Sequence, residues 1–266
     1  MHAHADVTPI YLAPRAPNSR PAVGSNQVRH ILRPFGLSLL ATALSACASL
    51  ASLTADSFTF EGQLPANFSM RAQAHYGVAN GCEGHSQARS FESGFQDAPQ
   101  QYRFKIPVTY RDGLCEMQLA RVGLYIHGRY GEKDWQRTYD NGGLVLVDAL
   151  PQGAPGFDAE GHLNKTAECT WLFQVSKLYL ELSKLLSCKG AGAHLLRSEL
   201  AGKTVRLDVQ ANPAEEPSYD RRWIKTDSGW RPCMGTDTSE RCQTPPIFQT
   251  FKMNGQECTV YPNCKE

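Results

Sequence analysis

Nine cysteines in a chain of 266 residues constrain what this sequence can fold into more than any other feature. With no metal-binding C-x2-C pair and no redox motif beside it, that count points to an oxidising compartment where thiols pair. Cys47 stands apart, directly after an apolar run. The other eight, Cys82, Cys115, Cys169, Cys188, Cys233, Cys242, Cys258 and Cys264, are an even set able to close four disulfides. Their spacing pairs the last four among themselves and leaves the first four to staple the body. Cys82 with His85 has no second half that would complete a zinc site, so neither a metal nor another cofactor is expected.

Residues Phe35 to Ala46 (FGLSLLATALSA) are uncharged and mostly apolar, with Arg29 and Arg33 before them and Cys47 after the small Ser45 and Ala46. The run falls well short of the ~20 residues a spanning helix needs, and its order is that of a signal peptide. Leu44-Ser45-Ala46-Cys47 resembles the bacterial lipobox. That resemblance implies removal of residues 1–46, with an over-long stretch before Val28, and acylation of Cys47. Because Ala48 and Ser49, rather than Asp, follow Cys47, it also implies anchoring to the outer membrane, facing the periplasm. Residues 47–57 are then the lipidated cysteine and its tether, and 58–266 a single globular domain. Loss of four Arg and one Asp leaves 23 basic against 25 acidic residues. A chain so near neutrality lacks the basic footprint of a nucleic-acid binder.

With 41% hydrophobic and 20% charged residues the chain is globular. Gln101 to Arg111 alternates Tyr102, Phe104, Ile106, Val108 and Tyr110 with polar partners, a half-buried strand that Pro107 assigns to a sheet edge or a bulge. Asp112-Gly113 turns it into a second strand over Glu116 to His127. Leu144 to Asp148 and Thr204 to Gln210 read as further strands. Trp223 to Trp230 forms a hairpin through Asp227-Ser228-Gly229, and Phe248 to Tyr261 another through Asn254-Gly255. Glu168 to Ser187 carries Trp171, Leu172, Val175, Leu178, Tyr179, Leu182, Leu185 and Leu186 at helical spacing, so it is predicted to be one amphipathic helix capped by Thr166 and stopped by Gly190. A helix of that length would hold Cys169 and Cys188 ~28 Å apart and forbid their pairing. The expected fold is therefore α+β: one β-rich domain of sandwich-like antiparallel sheets with one main helix, braced by disulfides.

No constellation of residues announces catalysis. Gly84-His85-Ser86-Gln87-Ala88 resembles the nucleophile elbow of lipases, with Ala in the final Gly position, yet no buried strand precedes Ser86 and no helix follows it. His127, His162 and His194 lack a paired carboxylate, and Glu132, Asp134, Asp140 and Asp148 read as solvated. Two stretches differ from ordinary loops: YGEKDWQRTY (Tyr130 to Tyr139) and YDRRWIKTDSGW (Tyr219 to Trp230) interleave aromatics with both signs of charge. Tyr, Trp and Arg are enriched at protein interfaces, which makes Trp135, Tyr139, Arg221, Arg222, Trp223 and Trp230 the candidate partner-binding residues.

The strings DWQRTYDNGGLVLVDALPQGAPGF (Asp134 to Phe157), CTWLFQVSK (Cys169 to Lys177), ELAGKTVRLDV (Glu199 to Val209) and FKMNGQECTVYPNC (Phe251 to Cys264) resemble proteobacterial lipoproteins that serve as immunity proteins against type VI secretion phospholipase effectors. The resemblance implies a non-enzymatic, membrane-anchored protein whose partner is a secreted lipolytic toxin. Two alternatives stay open. One is a lipoprotein hydrolase using Ser86 with His85 or His127; the other is a structural envelope lipoprotein that binds lipid or peptidoglycan.

Overall fold

Strands beginning at Ser57 and Phe68 diverge into two separate sheets, and the rest of the chain extends both. The computed structural model describes residues 56–79, 82–178 and 181–265; the expected signal peptide, the lipidation site Cys47 and most of the tether lie outside them. The first six-stranded sheet holds β1 (Ser57–Leu64), β4 (Gln100–Pro107), β8 (His162–Val175), β9 (Leu182–Lys189), β11 (Thr204–Ala211) and the short β12 (Glu216–Pro217). The second holds β2 (Phe68–Val78), β3 (Gln87–Glu92), β5 (Thr109–Asp112), β6 (Cys115–Arg129), β7 (Arg137–Val147) and β10 (Ala193–Leu196). Alternation turns Phe58, Phe60, Ile106, Leu163, Val205 and Leu207 of the first sheet inward. They meet Met70, Ala72, Val122, Leu124, Ile126 and Leu144 of the second in one buried cluster. Two sheets sharing one core in this way make a sandwich.

The α+β expectation is overturned. Among the described residues the helical segments are 3-10 turns of three residues each, Asp134–Gln136, Arg197–Glu199 and Asp220–Arg222, and every longer element is a strand. The sheets are also mixed rather than antiparallel, since β1 and β8 both run parallel to β11, and β10 runs parallel to β7.

The predicted helix over Glu168 to Ser187 is the hairpin β8–β9. Cys169 faces Cys188 and Trp171 faces Leu186 across the antiparallel ladder, and the two cysteines, 4.0 Å apart at Cα, form the disulfide that a helix would have forbidden. Two physical causes explain the misreading. The connection Ser176 to Glu181 contains no Gly, Pro, Asn or Asp, so apart from Ser176, a weak turn former, no residue in it signals a turn. The run Trp171-Leu172-Phe173 also puts apolar side chains on both faces of β8, Trp171 and Phe173 on the inner face, against the main core and a second one, and the half-buried Leu172 on the other face opposite Leu185, so the sequence shows no simple alternation there. Gly190, read as a helix stop, instead ends β9 at φ +90, where an added Cβ would lie 2.5 Å from the Thr166 carbonyl oxygen. Gly128 serves another purpose: Cη2 of the Trp171 ring lies 2.5 Å from where a Cβ would stand.

Other expectations hold. The strand across Gln101 to Arg111 exists, but it changes sheets at Val108, passing from edge strand β4 into β5. Both predicted C-terminal hairpins form, as β13 (Trp223–Thr226) with β14 (Gly229–Pro232) and β15 (Phe251–Met253) with β16 (Gln256–Cys258), the latter turning through Asn254-Gly255 at positive φ. The disulfides are Cys82–Cys115, Cys169–Cys188, Cys233–Cys242 and Cys258–Cys264, so the last four cysteines do pair among themselves. Four disulfides mark an extracytoplasmic domain.

Candidate functional site

The two C-terminal hairpins are too short to bury a core of their own, and they borrow one from the end of the β8–β9 hairpin. Phe173 supplies it. Its ring lies 4.9 Å from Trp223, 4.3 Å from Tyr261 and 6.0 Å from Trp230, while Trp223 in turn meets Phe251 at 5.6 Å. Leu182 and Cys258 complete this second cluster. Lys184 and Tyr261 lock its margin through Glu215: the ammonium lies 2.7 Å from Oε1, and the tyrosine hydroxyl donates to Oε2. Burial, and then that hydrogen bond, push the Tyr261 phenol above its ordinary pKa and keep it a donor.

A groove of about 840 Å³ opens between this module and the hairpin tip. Trp223, Pro232 and Cys233 are buried along it. One wall is the tip, with Val175, Lys177 and Leu178; the opposite wall is the loop closed by Cys233–Cys242, with Met234 and Glu240. Leu178 is 79% exposed, and Val175, Tyr219 and Met234 are also exposed along the lining. Four large apolar side chains left in water around one concavity are unusual, because isolated exposed apolar residues are the norm. A single carboxylate spans the gap. Glu240 Oε1 contacts the Arg222 guanidinium and stands 3.9 Å from Lys177 Nζ on the facing wall.

The six candidate partner-binding residues do not share one place. Arg222 and Trp223 line the groove, Trp223 as a residue only 6% exposed and Arg222 as the partner of Glu240. Arg221 is exposed beside them, its carbonyl accepting from the Cys242 amide. Trp230 is half-buried in the small aromatic core. Trp135 and Tyr139 lie elsewhere. Trp135 is half-buried against Tyr130 with Lys133 over its ring, and Tyr139 stands exposed on β7, packed edgewise on Tyr125 and against His127. The residues missed in sequence are Val175, Lys177, Leu178, Met234 and Glu240. The first three were hidden by the helical reading. The loop of eight residues between Cys233 and Cys242 was the one available signal for the others.

The hydrolytic alternative finds no assembled triad among the described residues. Ser86 and His85 are exposed in the loop before β3, and no hydrogen bond joins either to a carboxylate. His127 is remote: Gln87 is level with Tyr76 and Leu119, from which His127 lies a further eight residues along β6, on the order of 25 Å. Asp140 is engaged structurally, accepting from the Cys188 amide at 2.6 Å, and Asp148 pairs with Arg197. Comparison with protein families, curated proteins and solved structures finds no match for the chain.

Proposed function

We propose that the protein is a membrane-anchored binding protein, an immunity lipoprotein that sequesters a periplasm-acting lipolytic toxin through the groove between the β8–β9 tip and the C-terminal module. The observation that carries this reading is the gathering of Arg222, Trp223 and the exposed Val175, Leu178, Tyr219 and Met234 around one concavity. Aromatic and Arg anchors beside desolvable apolar area are what concentrates binding energy at interfaces. Two disulfides and a shared aromatic core hold the surface ready-made, so little conformational freedom is lost when a partner docks.

The position of the groove suits an N-terminal anchor. The described chain enters at Asp56, and β1, β11 and β8 all run away from that end in parallel. His162 of β8 is level with Thr59, and the 14 residues of β8 carry the chain on the order of 40 Å further before the hairpin tip. The groove beside the hairpin tip therefore lies at the opposite end of these strands from Asp56.

The test is to export the domain from Ala48 into an oxidising compartment and use it to capture periplasm-toxic lipases encoded beside its gene. Nanomolar capture with loss of lipase activity is the expected result. Absence of capture, with ester hydrolysis by the domain itself that disappears in Ser86→Ala, would replace the inhibitor with an enzyme.

A further inference from the structure

The groove has a charge pattern that specifies more about its occupant than its apolar rim does. Two cations face it from opposite walls, Lys177 on the hairpin tip and Arg222 on the module, and both rely on one oxygen of one carboxylate. The side chain of Lys177 is 86% exposed and only at the edge of contact, at 3.9 Å, so its pairing with Glu240 is weak and exchangeable in water. Among the described lining residues two cations share one carboxylate, one positive charge more than it neutralises. Around that surplus lie Val175 and Leu178 on one side and Tyr219 and Met234 on the other.

We infer that the groove takes a loop of a partner protein bearing one carboxylate between large apolar side chains, the carboxylate settling between Lys177 and Arg222. This rests on the reading of the groove as the partner-binding surface and names what that partner must present. Entry of the carboxylate draws Lys177 away from Glu240, and the apolar neighbours cover Leu178 and Met234. A free lipid tail fits the lining less well, because Gln174, Ser218, Thr236, Ser239 and Gln249 also face the groove. Ser218 donates to Gln174 Oε1, Thr236 lies 3.4 Å from the Thr238 hydroxyl and Ser239 accepts from the Arg241 amide, and the capacity these groups and the Gln249 amide keep towards water suits the N–H and C=O groups of a peptide better than an acyl chain, which would strip that water and offer no hydrogen bond in return. Charge pairing of this kind selects the partner and its orientation as much as it adds affinity.

The test uses a library of random dodecapeptides displayed on phage, panned against the intact exported domain. Enriched peptides are then synthesised and titrated against the wild type, Lys177→Glu and Leu178→Ser. Both substitutions fall on exposed tip residues, so folding is not at stake. The inference expects an acidic residue flanked by large apolar ones in the enriched set, at least tenfold weaker binding to Lys177→Glu, and recovery when the acid of the peptide is changed to lysine. No enrichment, enriched peptides without an acid, or binding indifferent to both substitutions would overturn it. The two proposals separate cleanly. If the lipases are not captured while the acidic peptides bind, the toxin reading falls and the groove chemistry stands. If a lipase is captured equally by wild type, Lys177→Glu and Leu178→Ser, the toxin reading stands and this inference falls.

Discussion

Phe173→Ala tests whether the C-terminal module depends on the β8–β9 hairpin for its core. The ring is completely buried, and it is the element that joins Trp223, Trp230 and Tyr261. Truncating a buried Phe typically costs 3–5 kcal/mol, roughly, through lost transfer energy and the cavity left behind. Three aromatic contacts disappear as well, two of them under 5 Å, which places this site near the upper end, at about 4 to 5 kcal/mol. Set against a domain stability of roughly 5–15 kcal/mol, that is a large loss, and it is confined to one end of the sandwich. The main core around Phe60 and Leu124 does not include Phe173. The expected outcome is therefore local: tryptophan emission shifts to the red as Trp223 and Trp230 meet water, while the β-sheet circular dichroism of the body persists. Urea titration followed by both signals should show the fluorescence transition moving ahead of the dichroism transition. A loss under about 1 kcal/mol with unchanged emission would refute the shared-core account, and Val175→Ala, at an exposed position on the same strand, supplies the control.

Three further outcomes are expected. Removing Cys82–Cys115, which spans 33 residues, should cost about 3.7 kcal/mol, against about 2.2 kcal/mol for Cys258–Cys264, which spans 6, if loop-closure entropy governs both; paired Cys→Ser variants in urea titrations would show the order. Gly128→Val should destabilise by about 2–3 kcal/mol because the Trp171 ring occupies the space of the new side chain, and the milder Gly128→Ala should fall between it and wild type in the same titration. Burial, followed by the Arg71 guanidinium, holds the His127 imidazole below its ordinary 6.5, partly countered by Glu92. The unfolded chain therefore takes up that proton first, so this contribution to stability is present above pH 6.5 and is lost as pH falls through the folded-state value. Unfolding free energies measured from pH 7.5 to 5 should decline, and His127→Gln should flatten the decline; a steeper decline in that variant would contradict the assignment.

Much of the architecture was legible wherever local chemistry leaves one option. Asn254-Gly255 adopts positive φ and turns a hairpin whichever fold surrounds it. The alternation from Tyr102 to Tyr110 survives the change of sheet because Tyr102, Phe104 and Ile106 face the shared core from the first sheet and Val108 and Tyr110 face it as the chain passes into the second. Pro107 sits at a sheet edge because it has no N–H to give to a further strand. The hairpin β8–β9 was not legible, and the groove went with it. Its connection has no Gly, Pro, Asn or Asp, and its apolar spacing satisfies a helix period as readily as two strands with apolar side chains on both faces.

The sequence by itself determined an oxidised, strand-rich domain with an even set of cysteines beyond Cys47 and three of its short turns, since these follow from residue type and near neighbours. Only the tertiary structure decided which sheet each strand joins, that Cys169 meets Cys188, and that Arg222 comes to face Lys177 across a groove. Those are contacts between residues distant along the chain. They are set by which apolar faces find each other when the sheets close, and no local pattern records that choice.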